Sequence, residues 1–571
     1  MAPMRFRYAL VSAALALAPL AAVAQPDFAP GAGTEDRTWL PDAPTAVNPK
    51  ARFTVTLQDG IHVATRDGTV LEGRLIAPVL ADGAPPTPCV LMADGYGRTS
   101  RIGAAMEVPL FDIAARGYAV LHLSLRGSGQ SEGSNDLFGH YGEDGYDAVE
   151  WMARQPWCNG RVGMVGASLL GISQWLTARE GPPSLKAIVP EVACADCYGT
   201  LWYPGGMLPG PGRQARRLVP GAANEYAAAL QHRDDDSWWR ARSSLAEDNA
   251  AIAARGVAAF IAGGLDDYIS PGNVRAYEQF EAPGARKRLF LGPYGHGWHT
   301  AFIQELQVQW LDHWLKGVAN GADTAPRVII YVKGANRWRA EADWPLPDAH
   351  NTRLHLSALH SHTIASRNDG ALTVEPLRAG APAVMPYSPE QGPFLPAMLT
   401  TRGRVAIDEA PDEAQALTWT SVKLTVATEV TGYPRLTLWA AASAPDADLV
   451  AQVTDVAPDG TSHQVAQAYL NLPRAADPGA PRPLVPGQAR RFELETCPVA
   501  YVFQPGHRIR LSLAGGAKPA PGQIFPQGPG KNPSPFDLTI LQDGDHPATL
   551  DLPVIGTGWE ALSRVGQVAA R

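Results

Sequence analysis

Hydrophobic and polar positions follow two different periods along this chain. From about residue 53 to residue 316, apolar runs of strand length alternate with stretches of helical spacing. The runs at 89–93, 118–123, 162–165, 187–190, 258–262 and 288–291 predict strands, and 146–155 and 173–179 predict helices between them. Strands that alternate with helices predict an α/β layer built on a parallel sheet. The rhythm breaks at about 194–255, where Trp202, Tyr203, Trp238 and Trp239 stand among Pro/Gly turns and helical stretches with no strand pattern. This insertion predicts a helical cap over the top edge of the sheet. Past Trp338 and the turn Asp343-Trp344-Pro345 the period becomes two, as at 435–439, 449–455 and 508–513, with Pro/Gly/Asp loops between. Such runs predict a separate all-β domain, a sandwich or jelly roll. The expected division is 25–340 for the α/β part, with its cap at about 194–255, and 341–571 for the β part. No internal repeat is evident, and the Pro/Gly-rich stretches 473–488 and 514–535 read as long connections.

Composition narrows the class. At 571 residues the chain exceeds one ordinary core, in keeping with two or three domains. Hydrophobic content of 45% with 18% charged residues belongs to a globular chain. A formal net charge of −8 leaves no basic footprint and argues against a nucleic-acid partner. The N-terminus runs from a positive segment with Arg5 and Arg7 through an apolar stretch to about Leu20, then Ala22-Val23-Ala24 before Gln25. These are the three parts of a signal peptide, expected at 1–24. The apolar run is short for a bilayer span, no other stretch is long and apolar enough, and the two arginines are not adjacent. The expected product is exported, periplasmic or extracellular, and without a membrane span. Five cysteines occur, and Cys194-Ala195-Asp196-Cys197 has half-zinc or redox spacing. No second Cys pair or His pair completes a metal site, so a local disulfide or buried thiols are the readings kept.

Within the α/β part, the run from Val162 to Val165 leads into Gly166-Ala167-Ser168-Leu169-Leu170-Gly171 and then into a helical pattern. That is the form of a nucleophile elbow, although the last glycine of G-x-S-x-G is displaced to Gly171. A serine hydroxyl needs a base to take its proton and an acid to orient the base. Both have candidates on later loops in the expected order: Asp266 and Asp267 after the run 258–262, and His296 after the run 288–291. The developing oxyanion needs donors. The Leu169 amide is one, and Tyr96, between Gly95 and Gly97 on an early loop, is a second. The aromatics Trp202, Tyr203, Trp238 and Trp239 either line a substrate pocket or pack the cap. Asp234-Asp235-Asp236 reads as a solvated loop or helix start, and His507 as structural.

These runs carry a family resemblance. Arg126-Gly127-Ser128-Gly129-Gln130-Ser131-Glu132-Gly133, Gln155-Pro156-Trp157-Cys158-Asn159-Gly160 and the Ser168 elbow are similar to the cocaine esterase / X-prolyl dipeptidyl peptidase group of serine hydrolases. Gly264-Leu265-Asp266-Asp267, Gly292-Pro293-Tyr294-Gly295-His296, Trp310-Leu311-Asp312-His313-Trp314 and Asp446-Ala447-Asp448 fit the same group. The resemblance implies an α/β-hydrolase core with a helical cap insertion and a C-terminal jelly roll that helps wall the site. It implies Ser168 as nucleophile, His296 as base, Asp267 rather than Asp266 as the acid, and Tyr96 with Leu169 as the oxyanion hole, with no metal or organic cofactor. Three departures stand out: Leu169 replaces a tyrosine, Ser124 an aspartate, and Ile269 and Ser270 the carboxylates by which α-amino-acid ester hydrolases hold a substrate ammonium. The expected function is cleavage of a small-molecule ester or amide through an acyl-enzyme. An X-Pro dipeptidyl peptidase and a glutaryl or β-lactam acylase are the alternatives within enzymes. An inert glycan-binding protein is the alternative outside them.

Overall fold

Ten strands form one sheet: β1 (Val55–Ala64), β2 (Val70–Pro78), β3 (Thr87–Asp94), β4 (Ala119–Ser124), β5 (Cys158–Ala167), β6 (Leu185–Glu191), β7 (Ala258–Gly264), β8 (Lys287–Gly292), β9 (Val328–Val332) and β10 (Arg337–Glu341). Their order is β1-β2-β4-β3-β5-β6-β7-β8-β9-β10. The computed structural model describes residues 52–209, 222–296, 301–377, 379–396, 407–518, 530–558 and 562, so the leader expected at 1–24 lies outside the described residues. Strands β3 to β9 are mutually parallel, and antiparallel pairs occur only toward the edges, β1 with β2, β2 with β4 and β9 with β10. The six apolar runs read from the sequence coincide with β3 to β8. These strands are covered on both faces, and this burial makes them read as continuous apolar runs.

Four further strands were not read from the sequence, and two of them, β1 and β10, lie at the edges. β1 is largely exposed and its register slips between Gln58 and Ile61, which breaks the alternation. β10, Arg-Trp-Arg-Ala-Glu, is a polar edge strand of the kind that resists further pairing. The sheet therefore continues past residue 316 to Glu341.

Helices α1 (Arg101–Ala115), α2 (Tyr141–Ala153) and α3 (Leu169–Glu180) follow β3, β4 and β5. Between β6 and β7 the described chain holds short helices joined by loops and no strand: a π-helical turn at Tyr198–Trp202, then α4 (Ala222–Gln231), α5 (Ser237–Arg240) and α6 (Ala246–Ala254). This is the predicted cap. α7 (Ser270–Gln279) and α8 (Ala301–Lys316) complete the α/β layer.

From Ala349 to Ile555 the described structure is strand-rich, with thirteen strands in one hydrogen-bonded network around a second core. Along Arg435–Ala442, Leu436, Leu438, Ala440 and Ala442 face this core while alternate side chains face out, which is the period of two seen in the sequence. The two halves are tied by backbone bonds at Lys333, whose N–H donates to the Ala500 carbonyl at 2.9 Å while its own carbonyl accepts from Val502 N–H at 2.8 Å. The cap rests on the strand Ser462–Asn471: a Cβ on Gly205 would lie 1.9 Å from the Tyr469 carbonyl oxygen.

Candidate active site

The turn from β5 into α3 places Ser168 with φ 58° and ψ −122°, a conformation that costs an L-residue of order 1–3 kcal/mol. Its backbone is held on both sides. The Ser168 N–H donates to the Glu191 carbonyl at 2.8 Å, and its carbonyl accepts from the amides of Gly171 and Ile172 at 2.8 and 2.9 Å. Gly166 has φ 138°, and a Cβ there would sit 2.6 Å from the Leu170 Cβ. The displaced Gly171 has its own reason: a Cβ at that position would lie 2.4 Å from the Ala193 Cβ, on the chain leaving β6. At this elbow the second close approach falls one residue later than in the short motif, and the glycine moves with it.

The acid and histidine loops are sewn together. Leu265 N–H donates to the Gly292 carbonyl at 2.8 Å, and Asp266 N–H donates to the Tyr294 carbonyl at 3.0 Å. A Cβ on Gly264 would lie 2.0 Å from that same Tyr294 oxygen, so only glycine allows the loops to meet. The two aspartates part company here. Asp266 turns to Lys333, 2.5 Å from its ammonium. Asp267 is fully buried, accepts from the Ile269 amide at 3.1 Å, and sets Oδ1 and Oδ2 at 3.1 and 3.2 Å from His296 Nδ1. On the other side of the ring, His296 Nε2 lies 2.8 Å from Ser168 Oγ.

Tyr96 reaches the serine from the loop after β3, its hydroxyl donating to Ser168 Oγ at 3.1 Å. Burial raises its pKa, while Ser168 and the Leu169 amide, both hydrogen-bonded to the phenol oxygen, pull the other way; the net shift is upward, so the phenol keeps its proton. Tight packing fixes the loop. A Cβ on Gly95 would lie 2.2 Å from the Tyr141 hydroxyl, and Gly97 has φ 84° against the Gly129 amide. Asp94 Oδ1 accepts from the Tyr96 N–H at 2.7 Å, and Ser124 Oγ accepts from the Arg98 N–H at 3.0 Å. Ser124, the departure without a reading from sequence, is thus a brace for this loop.

One neighbour escaped the sequence reading. Tyr268, directly after Asp267, packs its ring 5.0 Å from that of His296. Burial, then the Asp267 charge, holds its phenol well above the ordinary tyrosine range. Its adjacency to the acid was the available signal.

The four cap aromatics come together, chiefly with one another. Tyr203 and Trp239 are fully buried and meet edge-on at 5.9 Å, Trp202 meets Trp239 at 5.9 Å, and Trp238 meets Trp239 at 4.7 Å. Trp238 is also stacked on His232 at 4.5 Å and covered by Arg242 at 3.8 Å. Of the acidic run, Asp236 caps α5 by accepting from the amides of Trp238 and Trp239, and Asp234 pairs with Arg474. His507 is bound to Asp455 at 2.8 Å. Cys194 and Cys197 are buried thiols, and Cys89 is joined to Cys158. Among the described residues, no three His, Cys, Asp or Glu side chains are grouped to hold a metal ion. Nor is any described helix long and apolar enough to cross a membrane.

Comparison with known proteins finds relatives along most of the chain. Residues 67–226 match the X-Pro dipeptidyl-peptidase (S15 family), and residues 320–551 match the X-Pro dipeptidyl-peptidase C-terminal non-catalytic domain. The chain is 27% identical over 532 residues to cocaine esterase of Rhodococcus sp. (strain MB1 Bresler), covering 80% of this chain and 90% of that protein. In fold it is similar to a CocE/NonD family hydrolase from Staphylococcus aureus, with TM-score 0.71 and 21% identity over 88% of this chain and 94% of that one. It is also similar to an aminopeptidase from a marine sediment Thaumarchaeota archaeon, with TM-score 0.70 and 21% identity over 89% and 98% of the two chains. The chain thus carries both the S15-type domain and the C-terminal domain of the X-Pro dipeptidyl-peptidases, and its relatives are serine esterases and peptidases of the cocaine esterase / X-Pro dipeptidyl-peptidase group.

Proposed function

We propose that this protein cleaves a carboxylic ester or amide through an acyl-enzyme formed on Ser168. One observation carries the reading: a single hydroxyl, on a strained turn, lies 2.8 Å from a histidine nitrogen and 3.1 Å from a buried phenol. In this scheme His296 Nδ1–H donates to Asp267, which leaves the Nε2 lone pair to take the Ser168 proton as Oγ attacks the carbonyl. The oxyanion is held by the Tyr96 hydroxyl and the Leu169 amide. His296 then protonates the leaving group, and water, deprotonated by His296, releases the acid. A simple acyl group suits the site better than an α-amino-acyl one, because Ile269, nearly fully buried, stands where an ammonium-binding carboxylate is needed.

Ser168→Ala and His296→Ala are expected to abolish turnover of a p-nitrophenyl ester while melting like the wild type, and a fluorophosphonate is expected to label Ser168. Full activity in either variant, or labelling elsewhere, sinks the mechanism. Relative kcat/KM on simple esters, X-Pro amides and glutaryl amides separates esterase from peptidase and acylase. Export is part of the same proposal. The Cys89–Cys158 bond supports an oxidising compartment. A mature N-terminus at Gln25, read by mass spectrometry of the exported fraction, tests it.

A further inference from the structure

Beneath the Tyr96 loop lies a buried ionic chain that the proposed chemistry does not use. His122, on β4, is fully buried between two carboxylates. Its Nε2 is 3.0 Å from Asp94 Oδ2 at the end of β3, and its Nδ1 is 2.8 Å from Glu107 Oε2 on α1. Behind Glu107, the Arg74 guanidinium on β2 reaches Oε1 at 2.6 Å and also binds Asp59 at 2.7 Å. An ionised carboxylate only accepts, so the ring satisfies both neighbours only as an imidazolium donating from each nitrogen. Burial works against that charge, but the hydrogen bonds to Asp94 and Glu107 more than offset it, and the His122 pKa lies above its ordinary value. Burial likewise pushes Glu107 up, yet His122 and Arg74 bring it below the usual range.

Asp94 connects this chain to the serine. While Oδ2 receives His122, Oδ1 accepts the Tyr96 amide at 2.7 Å, and the Tyr96 hydroxyl donates to Ser168. There is little slack, since a Cβ on Gly103 of α1 would lie 2.6 Å from Asp94 Oδ2. We propose that His122 is a positioning residue for the oxyanion donor: the doubly bonded ring orients Asp94, Asp94 orients the Tyr96 backbone, and the phenol is thereby held against Ser168. This rests on Tyr96 acting as an oxyanion donor. As pH rises through the His122 pKa the ring loses one proton. One carboxylate then faces a lone pair, and kcat falls on the alkaline side.

A double-mutant cycle on a p-nitrophenyl ester tests it. In His122→Gln one amide end donates and the other repels, so one carboxylate loses its partner. Expected is a fall in kcat of roughly 10–100-fold with KM within about threefold, against roughly 10²–10³-fold for Tyr96→Phe. If His122 acts through Tyr96, the combined variant is slower than Tyr96→Phe by no more than about threefold. Losses that multiply overturn the positioning role while leaving Tyr96 as donor. An unchanged rate in Tyr96→Phe overturns the oxyanion reading and, with it, this proposal. Glu107→Gln is the second variant, and replaces His122→Gln in the cycle if that protein does not fold. With one anion gone, the imidazolium is less stable, so the alkaline limb of kcat is expected to move to lower pH. A limb that stays in place counts against the mechanism.

Discussion

Two adjacent aspartates separate cleanly in this structure, and exchanging each for asparagine gives opposite expectations. Asp267 is fully buried with both oxygens within 3.2 Å of His296 Nδ1, and its Oδ1 is also committed to the Ile269 amide. In Asp267→Asn the amide oxygen stays on Ile269 N–H. The NH2 then takes the Oδ2 place and donates to Nδ1, which moves the imidazole proton to the nitrogen facing Ser168. That tautomer cannot accept the serine proton, and the expected loss in kcat is about 10³–10⁴-fold, or roughly 4–5.5 kcal/mol of transition-state stabilisation. Asp266→Asn instead removes one partner of a part-exposed ion pair with Lys333. Its cost falls on stability, about 1–3 kcal/mol, with kcat within a fewfold of wild type. Initial rates on a p-nitrophenyl ester and a thermal melt of both variants decide the matter. A collapse of kcat in Asp266→Asn with Asp267→Asn active refutes the assignment.

Other expectations follow from particular contacts. Asp448 is buried beside Asn471 and burial raises its pKa to about 7. The folded state thus keeps a proton that the unfolded chain releases near its ordinary value of 3.8, and stability declines as pH rises between those two values. Asp448→Asn removes that decline, so its stability relative to wild type should be greater at about pH 8 than at about pH 4, by at most roughly 4 kcal/mol; equal Tm differences at both pH values refute it. Cys89 and Cys158 join β3 to β5 across 69 residues of sequence, and their double replacement by alanine should cost about 4 kcal/mol in guanidinium unfolding; an unshifted midpoint would show that the bridge adds nothing. Gly171→Ala places a methyl 2.4 Å from Ala193, with an expected cost of about 1–3 kcal/mol and a lowered kcat; a wild-type melt and rate would show that the elbow has room.

The sequence was most legible where burial was two-sided or geometry forbade a side chain. Strands β3 to β8 announced themselves as apolar runs because nothing polar fits there, while β1 and β10, exposed at the edges, carried no such constraint. Ser168, His296 and the aspartate pair were readable because each follows one of those runs. Choosing between Asp266 and Asp267 was beyond local pattern, because it depends on Lys333, sixty-seven residues downstream of Asp266. His122 hid for the same reason. In the sequence it is one polar residue inside an apolar strand, and only the packing of β3 and α1 around β4 gives it two carboxylates.

Finally, the seat of Gly205 against the Tyr469 carbonyl bears on how such proteins can be recombined. The cap is inserted in the α/β part of the chain, yet Gly206 packs on Arg474, Asp234 pairs with that same arginine, and Met207 belongs to the second core. A hybrid that joins the sheet of one relative to the β half of another would cut through this seam and leave a cap without its matching floor. The natural module for exchange is the cap together with the β half, two pieces far apart in sequence, with the Ser168 sheet as the constant chassis between them.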